Sequence, residues 1–573
     1  MSMTHTPRRE SRADNPVRSG PRRPRRRARA AAVALLTAVA LVASGCSIQI
    51  ESQPDPSIPD DTMLIGADNG SPMFEKNFNP YLANKRIGAF YIYEPLTVIN
   101  NLDGKGTPWL AASTEQPDAS TIVFTLREGV KWSDGKAFTA RDVDFTFQLL
   151  KKYPTLDMLG AWQYIDTVET SGNTVTIHLS QPDVPAANLI AQTRIVPEHI
   201  WKDVKDPGTF RNVEPVGTGP YTLGNFAPQQ YTLDKNKRYW QADKVAAEHL
   251  VLPASNTQLD TVSKGYDWAY QYISDVEGTW GAANKDNKYW FPPGGTIAML
   301  PNLTKAPFND INFRQGLSHA IDRDKIADAA TEGYMQGAGQ NNLLLPNQKD
   351  FLSPDLPNDG KVTQNTALAL EYFAKAGYTP RDGKLVDAAG KPLEFSLMTA
   401  NGYTDWLRAV QQIQKQLGDI GITVKVVQPQ PAAYQLAMRN GEYDMTIGAI
   451  GGTGDVYRDF NGLLSSEFVV PAGEEATNNF ERFSDPAVDD ILAKFRVAID
   501  EKDQLDYGYQ LQKVMYDQVP AIGVYYGGSW GLYNTTKFTG WPTAENPYAS
   551  LMTYESTPLL IFTSLKKTQK DGE

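Results

Sequence analysis

The chain has 573 residues, a net charge of −11 at pH 7 and a single cysteine. Such an acidic chain is a poor partner for nucleic acid, because that affinity depends on lysine and arginine contacts to phosphate. One cysteine excludes an internal disulfide. The length exceeds the usual size of one hydrophobic core, so we expect two or more domains.

The N-terminal segment differs in composition from the rest of the chain. Ten arginines between positions 8 and 29 precede an apolar run over residues 30–43, and small residues then lead to Cys46. This pattern predicts a secretory signal peptide over residues 1–45, and its apolar run is shorter than the roughly 20 residues that cross a bilayer. Proline and acidic residues then predict a flexible tether over residues 46–61.

The region after the tether is predicted to form a first lobe over residues 62–300. Alternating apolar residues predict strands at residues 121–126 and 174–179, and a helix at residues 139–152 with Thr139 as its N-cap. Frequent prolines and aromatic residues indicate an inserted subdomain over about residues 90–200. We therefore expect a mixed α/β lobe.

The second half of the chain predicts alternating strands and helices, which form a second lobe over residues 301–528. Such alternation is typical of a parallel, doubly wound α/β sheet. Residues 529–573 are expected to return to the first lobe. The predicted elements are strand 393–399, helix 404–418, strand 422–428, helix 431–440 and strand 443–450.

Four motifs resemble one protein family. They are FTLREGVKWSDGKAFTARDV at residues 124–143, YEPL at 93–96, PVGTGPY at 215–221 and KAPFNDINFRQGLSHAIDRDKI at 305–326. In their order along the chain they closely resemble the family 5 extracytoplasmic solute-binding proteins, the dipeptide-, oligopeptide- and nickel-binding subunits of ABC importers. The resemblance implies a type II periplasmic-binding-protein fold, in which two hinge-linked lobes close around ligand.

The same resemblance implies partners and a location. A monomer would deliver its ligand to a membrane permease, and an ATPase subunit would handle ATP, because this chain has no Walker A motif. The Ala-Ser-Gly that precedes Cys46 resembles a bacterial lipobox. It implies that the thiol carries a lipid that anchors the protein to the outer face of the cell membrane.

Two other function classes are disfavoured by the residues themselves. The string GGSWG at 527–531 matches the nucleophile elbow of hydrolases, but that elbow needs a helix directly after its serine. The residues after Ser529 are poor helix formers, and no histidine follows His319. The histidines lack the paired spacing of a metal site. We therefore expect no enzyme activity, no metal and no cofactor.

The ligand class stays open between oligopeptide and oligosaccharide. Most of the family binds peptides, which favours the first. Eleven tryptophans could instead stack on sugar rings, although aromatic residues more often pack cores. The segments at residues 195–201 and 540–548 also resemble the branch of the family that binds cello-oligosaccharides.

Ligands of open α/β sheets lie beyond the carboxyl ends of the strands. In peptide binders of this family an aspartate after the last of these strands pairs with the ligand's α-ammonium group, and Asp455 stands at that place. A helix cap is an equally good interpretation of Asp455. Arg458 could bind a ligand carboxylate or neutralise Asp459. The candidate ligand-binding residues are Asp68, Asn69, Asn401, Tyr403, Trp406, Asp455, Tyr457 and Arg458.

Overall fold

The computed structural model describes residues 58–68, 71–255, 257 and 260–569. The predicted signal peptide, Cys46, most of the tether and Asn69 lie outside the described residues. In the part of the chain that is described, no helix combines the length and the apolar character that crossing a bilayer requires.

The first lobe is built on a seven-stranded sheet. Thr62–Gly66 pairs in parallel with both of its neighbours, and the other pairings are antiparallel. The sheet packs on a core that includes Met63, Ile65 and Trp268. In spatial order the strands are Asn287–Trp290, Gly531–Asn534, Trp268–Tyr270, Thr62–Gly66, His249–Pro253, Gln230–Lys235 and Tyr221–Ala227.

A separate antiparallel sheet of four strands has its own hydrophobic core. The predicted strands at residues 121–126 and 174–179 and the predicted helix are confirmed here. The helix begins after Thr139, whose backbone N–H donates to the Asp142 carboxylate at 2.9 Å. Contacts of this kind satisfy backbone N–H groups that the start of a helix leaves without a partner. The elements are strands Ala111–Asp118, Thr121–Leu126, Thr174–Leu179 and Ile165–Ser171, and helix Ala140–Lys152.

The second lobe is built on a five-stranded sheet that contains the predicted alternation of strands and helices. Its first three strands are parallel, whereas Pro293–Pro301 runs antiparallel to both of its neighbours. The parallel arrangement predicted for the strands of segment 393–450 is therefore confirmed, and the two antiparallel pairings of Pro293–Pro301 make the whole sheet mixed. The elements are strands Thr423–Val427, Glu394–Met398, Met445–Ile450, Pro293–Pro301 and Ile522–Gly528, and helices Thr404–Asp419 and Pro431–Asn440.

The chain passes between the two large sheets through short connections at residues 291–292 and 529–530. These connections touch, because the Ser529 N–H donates to the Pro292 carbonyl at 2.8 Å. The strand Pro293–Pro301, which we had placed in the first lobe, belongs to the sheet of the second. Two lobes joined by adjacent short segments form a hinge-linked α/β fold.

The remaining elements cover the faces of these sheets. The helices are Ala89–Ile92, Ala186–Ala191, Glu198–Trp201, Asp260–Ser263, Ile311–Ala320, Arg323–Thr331, Thr366–Lys375, Val456–Leu464, Pro486–Val497, Glu501–Gln518 and Thr557–Phe562. The two-stranded pairs are Thr97–Ile99 with Gly106–Pro108, Thr379–Arg381 with Lys384–Val386, and Phe538–Thr539 with Lys566–Lys567.

Candidate functional site

A cavity of about 560 Å³ lies between the lobes. Its wall combines Phe90 and Arg194 of the first lobe, Gly294 and Ser529 beside the hinge, and Thr453 of the second lobe. Its volume is within the range of small-molecule sites in proteins. A ligand here would touch both lobes and the hinge connection at Ser529.

Two cations lie on one side of the cavity. The Lys85 ammonium and the Arg194 guanidinium contact the ring of Phe90, at 5.1 and 4.1 Å from its centroid. Burial, and then the like charge of Arg194, lower the pKa of Lys85 to about 8. Burial likewise lowers the pKa of Arg194 to about 10. Neither cation forms an ion pair with a carboxylate among the described residues, so this side of the cavity suits an anionic ligand group.

A carboxylate acts on one of these cations, Arg194. The exposed Glu555 lines the cavity and accepts a hydrogen bond from Asn101 Nδ2 at 2.9 Å. Its charge opposes the lowering of the Arg194 pKa. Glu555 has a φ of 63°, a left-handed conformation that is uncommon for residues other than glycine. Such backbone strain is concentrated at functional sites, and here it presents a negative group to the cavity.

Two hydroxyl groups and one guanidinium nitrogen of the cavity wall also lack hydrogen-bond partners within the described part of the chain. Thr193 Oγ1, Ser550 Oγ and Arg194 Nε are buried and make no hydrogen bond to any described residue. An unsatisfied buried polar group costs about 1–3 kcal/mol. A ligand that offers hydrogen-bonding atoms would recover part of this free energy.

Two tyrosines complete the wall near the hinge. The rings of Tyr270 and Tyr554 meet edge to face with their centroids 5.5 Å apart, and both line the cavity. Aromatic faces of this kind contribute apolar contact to a ligand. The cavity therefore offers positive, negative, neutral polar and aromatic groups together.

The family profile described as bacterial extracellular solute-binding proteins, family 5 middle, matches residues 105–468, more than half of the chain. The chain belongs to this family. The predicted family is thus confirmed. Members of the family bind solutes outside the cytoplasm rather than transform them, and the strand Gly531–Asn534 occupies the place where an elbow serine would need a helix.

Individual relatives of this family 5 binding protein agree with the assignment. The dipeptide-binding protein of Escherichia coli is 25% identical over 499 residues, which cover 80% of this chain and 88% of the relative. A periplasmic oligopeptide-binding protein of Thermotoga maritima has the same fold, with a TM-score of 0.78, 24% identity and coverage of 89% of this chain and 99% of the other. Its mannohexaose-bound structure gives a TM-score of 0.70, 25% identity and the same coverages.

In this binding protein Asp455 forms the N-cap of the helix Val456–Leu464. Its carboxylate accepts a hydrogen bond from the Arg458 N–H at 3.0 Å. The Arg458 guanidinium extends to the inserted subdomain, where Nη2 donates to the Pro185 carbonyl at 3.4 Å and the group lies 5.8 Å from the ring of Tyr164. Neither residue is among those that line the cavity. Asp455 acts within its own helix, and Arg458 forms a contact between the lobes.

Two neighbours on this helix have other roles. Tyr457 is 8% exposed and packs against Phe495, with centroids 5.4 Å apart, inside a core of the second lobe. Asp459 accepts hydrogen bonds from the N–H and the hydroxyl of Thr453, at 3.0 and 2.7 Å, rather than pairing with Arg458. Burial raises the pKa of Asp459 to about 6. Asp459 therefore holds the loop that brings Thr453 to the cavity.

The other predicted residues also lie outside the cavity wall. Tyr403 and Trp406 meet at 5.0 Å between centroids at the start of the helix Thr404–Asp419, and Tyr403 is 40% exposed. The neighbouring Asn401 is exposed, and its backbone N–H donates to the Pro429 carbonyl. These three residues follow the carboxyl end of the strand Glu394–Met398, and none of them is among the residues that line the cavity.

Asp68 is a buried structural residue of the first lobe. Its carboxylate accepts hydrogen bonds from Tyr231 Oη at 2.5 Å and from the Ile87 N–H at 3.2 Å, and it lies 3.8 Å from Arg86 Nη1. Burial raises the pKa of Asp68. These contacts engage both carboxylate oxygens and fix the segment that directly follows Lys85.

Sequence reasoning missed the residues that do line the cavity. Lys85, Arg194 and Glu555 lie on connections rather than at strand ends, so the strand-end rule does not select them. One available signal was Arg194 itself, a charged residue directly before the apolar pair at residues 195–196. A charge in such a setting is buried only with a partner or a ligand.

Proposed function

We propose that this protein captures oligopeptides outside the cell membrane and delivers them to the permease of an ABC importer. Membership of family 5 and the similarity to a dipeptide-binding protein support the ligand class. Membership of the same family also supports delivery to a permease.

The observation that carries the peptide proposal is the presence of both charge signs in one cavity. A peptide has an ammonium group at one end and a carboxylate at the other. Lys85 and Arg194 can pair with the carboxylate, and Glu555 can accept from the ammonium group. Two neighbouring cations without a carboxylate partner are unfavourable in a closed cavity, so a zwitterionic ligand would stabilise the closed state more than a neutral one.

An oligosaccharide is the second candidate. The unpaired Thr193 and Ser550 hydroxyl groups and the Tyr270–Tyr554 pair are suited to the hydroxyl groups and faces of a sugar. The Thermotoga relative with bound mannohexaose supports this alternative. Neutral sugars, however, would bring no anionic group to Lys85 and Arg194.

A thermal-shift screen of the purified protein tests the two ligand classes. Peptide and oligosaccharide libraries are added at equal concentration, and the melting temperature is recorded. A ligand present at 100 times its Kd stabilises the folded state by about 2.7 kcal/mol. We expect peptides to raise the melting temperature and neutral sugars to leave it unchanged; the reverse pattern would establish the oligosaccharide alternative.

We further propose that Cys46 carries a lipid after removal of residues 1–45 and that residues 46–61 tether the binding lobes to the membrane. The support is the order of charged, apolar and small residues before the cysteine. A tether of this composition would let the lobes reach the permease while the anchor limits diffusion.

A further inference from the structure

Two loops from opposite lobes meet beside the main cavity, the one that lies between the lobes. One is the hairpin turn at residues 100–105 of the first lobe, and the other is the loop at residues 451–455 of the second lobe. Each loop contributes to the cavity wall, the first through Leu102 and the second through Thr453. The separation of the two loops therefore sets the width of the cavity on this side.

The loops approach so closely at Gly104 that no side chain fits between them. A Cβ atom on Gly104 would lie 2.0 Å from the carbonyl oxygen of Gly454 and 3.1 Å from its carbonyl carbon. Nonbonded heavy atoms prefer separations of about 3.5–4.0 Å, so even an alanine would collide with the backbone of the other lobe. Seen from the second lobe, a Cβ atom on Gly454 would lie 3.3 Å from Asn101 Cα, which is a milder conflict.

The turn itself does not account for glycine at position 104. Gly104 has a φ of 72°, a conformation that asparagine and aspartate also adopt in turns. The contact with the Gly454 carbonyl, by contrast, excludes every residue that carries a Cβ atom. The close approach of the two lobes is therefore the feature that requires glycine here.

Each loop is held in shape by hydrogen bonds within its own lobe. In the first lobe, the Gly104 N–H donates to the Asn100 carbonyl at 2.8 Å, which closes the turn. In the second lobe, the Asp459 carboxylate accepts from the N–H groups of Gly452 and Thr453, at 3.2 and 3.0 Å. Neither loop can therefore move aside without breaking hydrogen bonds of its own lobe, and their contact acts as a firm stop.

We propose that Gly104 and Gly454 are positioning residues for ligand capture, because their contact sets how far the lobes close over an occupied cavity. We call this pair the glycine latch. The inference rests on the proposed capture of a ligand between the lobes, and it applies to a peptide and to a sugar alike. A methyl group at position 104 would hold the lobes apart and lower the population of the closed form, which binds the ligand more tightly.

The neighbouring ion pair between the lobes does not set this distance. Lys105 Nζ lies 3.1 Å from the carboxylate of Asp350, but the two side chains are 70% and 64% exposed. Exposed pairs of long side chains contribute little to stability, since the side chains are free to adopt other geometries. The lobe separation is therefore determined by the backbone contact of the glycine latch.

Alanine substitutions at three glycines test the latch. Gly104→Ala places its Cβ atom against the other lobe, and Gly454→Ala introduces the milder conflict. Gly129→Ala is the matched control, because Gly129 also has a positive φ, 78°, while among the described residues no atom lies within 4 Å of its Cβ position. Calorimetry with an alanine tripeptide and with mannohexaose measures affinity. Small-angle X-ray scattering with each probe at saturation measures the radius of gyration.

We expect Gly104→Ala to bind the probe that the wild type binds about tenfold more weakly, as follows if its closed form becomes about tenfold rarer. Its radius of gyration at saturation should stay above that of the wild type. Gly454→Ala should show a smaller loss, and it keeps the test valid if Gly104→Ala does not fold. Gly129→Ala should match the wild type in both measurements.

The outcomes separate the latch from the proposed function. Equal affinity and equal compaction in Gly104→Ala and Gly129→Ala would overturn the latch and leave ligand capture intact. A wild type that binds neither peptide nor sugar would overturn the proposed function, and with it the inference that rests on it.

Discussion

Replacing Glu555 with glutamine tests which carboxylate receives the ammonium group of a peptide. The substitution keeps the side chain's size and its ability to accept from Asn101 Nδ2, but removes the charge. A hydrogen bond to a charged group contributes about 1.5–3 kcal/mol. Its loss corresponds to about 10- to 150-fold weaker binding.

Asp455→Asn is the matched control, because it makes the same carboxylate-to-amide change at the position predicted from the strand-end rule. Asp455 caps its helix by accepting from the Arg458 N–H. Asparagine caps helices about as well as aspartate, so we expect stability to be kept. Asp455 does not line the cavity, so the substitution can affect the ligand only indirectly. Peptide affinity should therefore change by no more than about threefold, which is the size of effect expected from a substitution that does not contact the ligand.

Calorimetric titration of the two variants and the wild type with one peptide, together with its N-acetylated form, provides the assay. Acetylation should weaken binding to the wild type and have little further effect on Glu555→Gln. A large loss in Asp455→Asn combined with an unaffected Glu555→Gln would refute the placement of the ammonium group in the main cavity.

Three further predictions concern closure, pH dependence and anchoring. Arg458→Gln breaks the contact with the Pro185 carbonyl between the lobes and so makes closure less favourable. We expect calorimetry to show about fivefold weaker binding of every ligand. A loss confined to ligands with a carboxylate would contradict this. Burial raises the pKa of Glu94 to about 7, so between pH 4.5 and 7 this carboxyl group binds more protons in the folded protein than in the unfolded one. Its contribution to the free energy of unfolding therefore falls by about 3 kcal/mol as pH rises across that window. Urea unfolding of Glu94→Gln should lack this fall, and stability–pH profiles of variant and wild type that run parallel would refute the assignment. Cys46→Ala should abolish fatty-acid labelling and membrane retention in a bacterial host; labelling that persists would show that another residue carries the lipid.

The fold was largely predictable because its elements are locally encoded. The apolar spacing of the helix Thr404–Asp419 and the alternation in Thr121–Leu126 indicate their structures directly. The direction of Pro293–Pro301 was not predictable in this way, since it depends on pairing with Met445–Ile450, about 150 residues later in the chain.

The cavity was less predictable than the fold because its groups come from distant connections. Lys85, Arg194 and Glu555 meet only after residues 550–556 return to the first lobe, and no short-range pattern reports that return. The strand-end rule selected Asp455 because the fold of the second lobe is doubly wound. In this structure, however, the cavity wall is contributed largely by connections of the first lobe and the hinge.

The most direct test of peptide binding at the charged cavity is a single calorimetric series on the wild-type protein. The ligands are a short peptide with free ends, the same peptide with its N-terminus acetylated and its C-terminus amidated, and mannohexaose. We predict that the free peptide binds, that blocking both ends weakens binding at least about a hundredfold, and that mannohexaose produces no binding heat. Tight binding of mannohexaose together with equal affinities for free and blocked peptide would contradict the proposal.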